Sequence, residues 1–161
     1  MPTPAYVKFT SYNDGEIAGS VEIEGREETS EVHEFHSNVY FPTDIHRGSP
    51  SGKRIHSPAI LVKEVDKSSP ILYNHLTEGT LFTQIVINWY KVMDDGTEFL
   101  YFMHTIEHAR LVGMKMMMPN VKDPAKQTFG HLEELSIAYR RITWSWLDGG
   151  IEATDDWVES Q

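Results

Sequence analysis

The stretch Leu81–His108, LFTQIVINWYKVMDDGTEFLYFMHTIEH, decides the fold, because its two halves pull toward different readings. From Leu81, apolar side chains fall at both parities: Leu81, Ile85, Ile87 and Trp89 on one side, Phe82, Val86 and Tyr90 on the other. A run so rich in β-branched and aromatic residues predicts a strand covered on both faces. Asp95-Gly96 follows, and glycine accepts the positive φ of a tight hairpin turn. The run from Glu98 is therefore expected to return antiparallel to the first.

Against that stands the string His104-Thr-Ile-Glu107-His108. It matches the H-x-x-E-H pattern of a class of zinc metallopeptidases, in which a helix sets both histidines on one face and the glutamate acts as general base. The spacing of Phe99, Phe102, Met103 and Ile106 also suits a helix. On a strand the two histidines lie about 13 Å apart with Glu107 facing the other way, so one zinc ion does not hold both. The preceding turn and the Phe/Tyr content favour the strand. No catalytic or metal-binding residue is assigned, and a zinc-dependent hydrolase using His104, Glu107 and His108 stands as the alternative function.

Working outward, DKSSPILYNHLTEGT reads as the one helix: Ser69 can cap it, Pro70 suits the first helical position and Gly79 the left-handed terminating one. Ile71, Leu72, His75 and Leu76 then share a face. In MKMMMP, alternation sends Met114, Met116 and Met118 one way and Met117 the other; core packing or an apolar contact patch outweighs a copper(I) site. In LEELSIAYRRITWSW, Leu135, Ile137 and Tyr139 are odd-numbered and Ile142, Trp144 and Trp146 even-numbered. A bulge near Arg140 and Arg141 would restore one inward face and bend the strand as barrels require. With AYVKF, IAGSVEI and AILVKEV, these runs predict an all-β barrel or sandwich with one helix on its side.

The 161 residues suit one domain, drawn as residues 1–148 followed by a polar tail, 149–161, in which Trp157 is a candidate to dock. The absence of cysteine removes thiol redox chemistry, iron–sulfur clusters and disulfides. A net charge of -10 argues against a nucleic-acid partner. No window approaches the ~20 apolar residues of a membrane span, and the N-terminus lacks the basic and apolar segments of a signal peptide. His33 and His36 of HEFH would point to opposite faces of a strand. The pairs Asp94-Asp95, Glu133-Glu134 and Asp155-Asp156 read as solvated acidic surface, and no nucleophile elbow or Gly-rich phosphate loop is present. The expectation is a protein that is not an enzyme and uses no cofactor.

Between these runs lies HSNVYFPTDIHRGSPSGKRIHSP, His36–Pro58. Pro42, Gly48, Pro50, Gly52 and Pro58 make it too broken to pair as sheet, so it reads as a long loop of the kind that carries binding. Arg47, Lys53 and Arg54 against Asp44 give it +2, leaving -12 on the rest of the chain. A basic arm on an acidic body suits attraction to another copy. His46 and His56 would add positive charge below about pH 6.5.

In order along the chain, MPTPAY, EFHSNVYFPTDIHRGSPSGKRIHSP, VDKSSPILYNHLTEGT, INWY, DPAKQTFGHLEELSIAYRRITW and DDW resemble the haemolysin-coregulated protein (Hcp) family of type VI secretion systems. The resemblance implies a mainly β fold: a small β-barrel of two packed antiparallel sheets with one short flanking α-helix and a long extended loop. It also implies a homohexameric ring that stacks head to tail into a tube, with a spike protein at the tip, a surrounding sheath and effectors as cargo. Such a subunit waits in the bacterial cytoplasm and is secreted without a signal peptide. The family's ring-stacking loop maps onto Pro42, Asp44, His46, Arg47, Lys53, Arg54 and His56, with the cations and His56 as its working residues. Glu22–Glu31 matches no motif of the family, and the expectation is a tube subunit without an added toxin domain.

Overall fold

A computed structural model of the chain describes residues 3–157. The described strands are β1 (Ala5–Ser11), β2 (Gly15–Ile17), β3 (Ser30–His36), β4 (Val39–Tyr40), β5 (Thr43–Asp44), β6 (Ser49–Pro50), β7 (Ile55–His56), β8 (Ala59–Glu64), β9 (Phe82–Val92), β10 (Glu98–Met117), β11 (Leu132–Trp146) and β12 (Ile151–Asp156). One α-helix, α1 (Ser69–Glu78), separates β8 from β9, and a short 3-10 turn, Pro124–Lys126, precedes β11. The order β10-β9-β1-β3-β8-β11 closes on itself because β11 also pairs with β10, giving a six-stranded antiparallel barrel. β2 and β12 extend it at β1 and β11.

The Asp-Gly turn forms as expected. Met93 N donates to Thr97 O, Gly96 sits at φ 86°, and β9 and β10 run antiparallel from it. The change of parity in β11 is also real, but its cause differs from a bulge at Arg140 and Arg141. Phe82, Ala109 and Tyr139 form one buried cross-strand row and Ile85, Ile106 and Ile142 the next, so the inward step is three residues in all three strands at one level. Because β9, β10 and β11 bend together, their ladders stay in register there. His108 takes up part of the bend at φ 50°. The register shift between β10 and β11 lies elsewhere, between Leu111 and Gly113.

The helix begins one residue later than its cap. Ser68, not Ser69, is the N-cap, while Gly79 at φ 69° ends the helix with its N–H on the His75 and Leu76 carbonyls. Leu72 and His75 are buried, whereas Ile71 is exposed, so the inward face is narrower than the periodicity predicts. His75 donates from Nδ1 to Ile71 O, and its Nε2 lies 2.8 Å from the Ser11 hydroxyl and 3.1 Å from Asp14 Oδ2, which ties the helix to the end of β1.

Ser69 is freed from capping for a buried polar cluster beneath the helix. Its hydroxyl donates to Glu133 Oε1 at 2.8 Å, and Lys63 Nζ lies 2.5 Å from the same oxygen and 2.9 Å from Asp66 Oδ1. Lys63 and Glu133 are wholly buried, so Glu133 is no part of a solvated acidic surface. Burial alone would raise the Asp66 carboxyl, but hydrogen bonds from Ser30, Ser68 and Lys63 outweigh it and hold the group below its ordinary range.

The stretch read as a polar tail contains β12, which pairs antiparallel with β11 from Ile151 to Asp156. Val158–Gln161 and Met1–Pro2 lie outside the described residues. In the acidic stretch Glu22–Glu31, the Arg26 guanidinium stands 3.8 Å from the Tyr90 ring centroid and pairs with Glu98. Among the described residues no helix is long and apolar enough to cross a membrane.

Candidate functional site

The segment from Val39 to His56 leaves the barrel as an arm. It does pair, contrary to the expectation from its proline and glycine content. β4 runs against β7 with Val39 opposite His56, and β5 runs against β6 with Thr43 opposite Pro50. Each ladder is only two residues long, so the breakers fall between or at the ends of the pairs and cost few bonds. Ser51 N donates to Pro42 O where the two ladders meet. At the far end Asp44 organises the turn: its Oδ1 accepts from His46 N, and its carbonyl accepts from Arg47 N and from Gly48 N, the glycine at φ 64°.

The seven residues assigned to this segment separate into three groups. His46, Arg47 and Lys53 are exposed, and the Arg47 side chain is 83% exposed, 3.8 Å from Asp44. Pro42 and Asp44 are half-buried and shape the arm itself. Arg54 and His56 turn back to the body of the protein. Arg54 donates from Nε and Nη2 to the two oxygens of Asp155, at 2.7 and 2.8 Å. The His56 ring is 1% exposed, with Nε2 2.6 Å from Asp155 Oδ2 and Nδ1 2.9 Å from the Tyr139 hydroxyl. A carboxylate can only accept, so Nε2 carries the proton. Trp157 stacks on that ring at 5.9 Å and 19°, and its indole N–H donates to Tyr139 O. His56 therefore lies inside the contact between arm and body, while His46 stays on the exposed tip.

Arg54 hydrogen bonding, opposed by burial and assisted by His56, holds the Asp155 carboxyl below its ordinary range. Burial pushes the Tyr139 hydroxyl up, so it stays a neutral donor. Trp157, the docking candidate of the C-terminal stretch, does dock; Tyr139 and Asp155 were not candidates from the sequence, although the string DDW carries Asp155. Sequence reasoning also passed over the apolar content of the arm. Tyr40, Phe41 and Ile45 are exposed, Ile45 at 87%. Met116, Met118, Val121 and Phe129 are exposed as well, while Met114 packs on the core.

The zinc alternative finds no support. His104, Glu107 and His108 lie on β10, where no helix gathers them. His104 accepts from the Trp89 indole N–H at 2.8 Å, with Phe35 and Phe102 rings 5.2 Å away, and Glu107 faces Arg141 at 3.3 Å. Among the described residues no group of three His, Asp or Glu side chains is arranged to hold a metal ion. Burial pushes the His104 imidazole down to about 4, so it is neutral and structural. An unfolded histidine takes up its proton near pH 6.5, earlier than the folded one, so stability is full above that pH and declines as pH falls toward 4. The decline attributable to His104 is expected to be about 3 kcal/mol. Chemical denaturation of His104→Gln, which keeps an acceptor for Trp89, should show a flatter dependence between these two pH values; an unchanged slope would contradict it.

A family model described as type VI secretion system effector, Hcp, matches residues 6–146. The Major exported protein of Pseudomonas aeruginosa PAO1 is 36% identical over 166 aligned positions, which cover 98% of this chain and 96% of that protein. The crystal structure of an Hcp protein superposes with a TM-score of 0.90 at 27% identity, covering 97% of this chain and 98% of the other. Hcp1 from E. coli EAEC 042 superposes with a TM-score of 0.86 at 34% identity, covering 97% and 99%.

Proposed function

This chain belongs to the Hcp family of the type VI secretion system, and from that premise we propose that it is a subunit of the secretion tube. Six copies close a ring, and rings stack head to tail into a tube that is loaded in the bacterial cytoplasm and expelled toward a target cell. Its lumen accommodates effectors, a spike protein caps it and a sheath surrounds it. The work is assembly and transport rather than catalysis.

The observation that carries this reading is the arm. An antiparallel projection with exposed Tyr40, Phe41 and Ile45 and exposed Arg47 and Lys53 stands on a chain of net charge -10. An exposed apolar and basic projection on a lone subunit is an association liability; set against the acidic face of a neighbouring ring it becomes the contact. Such a contact is heterologous, one surface meeting a different one, and it propagates along an axis instead of closing on itself. The exposed apolar side chains Met116, Met118, Val121 and Phe129 and the edge of β12 that no described strand covers suit contacts between neighbours within a ring.

Native mass measurement tests the ring. Purified protein at micromolar concentration in low salt is expected at about six times its 18.5 kDa subunit mass. A purely monomeric species overturns the assignment. Added salt should dissociate stacked rings before it dissociates the rings themselves, because exposed charges are screened over about 8 Å at physiological ionic strength while apolar contacts are not.

A further inference from the structure

We infer that Asp155 and Trp157 form a seat for the arm, so that β12 sets the direction in which the arm points and thereby its readiness to dock. The functional half of this inference rests on the docking reading above; the seat itself does not.

Two ladders of two residues each do not hold a projection in one orientation, since even a full isolated hairpin is marginal in water. The arm's ladders are also separate from the barrel sheet. What joins arm to body is Arg54, just ahead of β7, and His56 within it, two residues apart along an extended chain and so on one side of it. Both reach the same carboxylate. Arg54 meets it with two parallel N–H bonds, the geometry in which a guanidinium–carboxylate pair is strongest and most directional. His56 fills the remaining approach at Asp155 Oδ2 and is enclosed by the Tyr139 ring edge at 5.4 Å and the Trp157 face. The polar atoms of the seat are paired: Trp157 Nε1 on Tyr139 O, the Tyr139 hydroxyl on His56 Nδ1.

The tip has no comparable hold, since Ile45, His46 and Arg47 are exposed. The arm is thus a lever fixed at one end. The affinity of a lever for its partner falls in proportion to the fraction of time it spends in the competent pose. Release of the seat leaves the docking residues intact and spreads them over many directions.

The chain contains no cysteine, so Ile45→Cys introduces a unique position for a spin label at the arm tip. Label mobility is measured on dispersed subunits, and stacking is measured separately by sedimentation of unlabelled chains. In Asp155→Asn, and independently in Trp157→Ala, the tip label should become mobile while ring mass and melting temperature stay near those of the parent. Stacking affinity per arm should fall about tenfold if the seated fraction drops to about a tenth. Lys53→Glu serves as the opposite control, weakening stacking with the label unmoved. A label as immobile in both seat variants as in the parent overturns the seat. A mobile tip with parental stacking keeps the seat and overturns the docking role of the arm.

Discussion

The double reversal Arg47→Glu with Lys53→Glu is expected to leave the ring mass unchanged and to abolish ring-on-ring association and export. Both side chains are exposed, and neither belongs to the seat at Asp155, so the substitutions act on the surface without loosening the arm. They take the segment from +2 to -2 against a body at -12, turning attraction into repulsion at every docking contact. Like charges set against each other across an interface cost several kcal/mol, and a repeating tube multiplies the defect along its length. Arg54, equally basic in sequence, is the wrong residue for this experiment. Arg54→Glu would set a carboxylate against Asp155 and displace the arm, so a loss of stacking would not tell docking from positioning. Sedimentation of purified rings at low salt, with export measured in cells, decides the matter. Parental stacking by the double variant would remove the docking role from these cations.

Leu72→Asp is expected to prevent folding of the subunit. Leu72 is fully exposed to the core and not at all to solvent, at the contact of α1 with the barrel. A carboxylate placed there has no partner, and either its charge or its protonation must be forced at a cost of several kcal/mol. Whole domains are stable by only about 5–15 kcal/mol, so one such defect removes a large share. Leu72→Ala should cost about 2–5 kcal/mol, a cavity without a buried charge. Circular dichroism during heating separates the three proteins: a β-dominated spectrum for the parent, a lowered transition for the alanine variant, and no cooperative transition for the aspartate variant. A Leu72→Asp protein melting with the parent would mean that the helix is not docked.

The strand reading of Leu81–His108 was legible because it rests on local chemistry: β-branched and aromatic residues at both parities, then a glycine where φ must be positive. The same is true of the helix, whose proline and terminal glycine act within their own turn. His104-x-x-Glu107-His108 lost its meaning as a zinc motif for the same local reason. The parity change in β11 was legible too, but its mechanism was not. One strand shows that the inward face moves, and only the neighbours show that all three move together and so keep their ladders intact.

The candidate site divides along the same line. That His36–Pro58 projects and carries net positive charge follows from composition, since its breakers and cations sit within a few residues of one another. That Arg54 and His56 look inward does not, because their partner Asp155 lies 101 and 99 residues away. Nor does the pairing of Lys63 with Glu133, which reads as surface charge until β8 and β11 are laid side by side beneath α1. Local pattern by itself determined the long strands, the helix, the all-β class and the existence of a basic projection, because those are set by torsional preference and by charge within one stretch; it missed the short ladders of the arm and β12, whose pairing depends on a partner strand. The closure of β11 onto β10 and the pairing of β12 decided which charges are buried, which are exposed and which pair with the arm. A side chain's partner across a barrel is set by which distant backbone runs beside it, and that neighbour is chosen by the packing of the whole core.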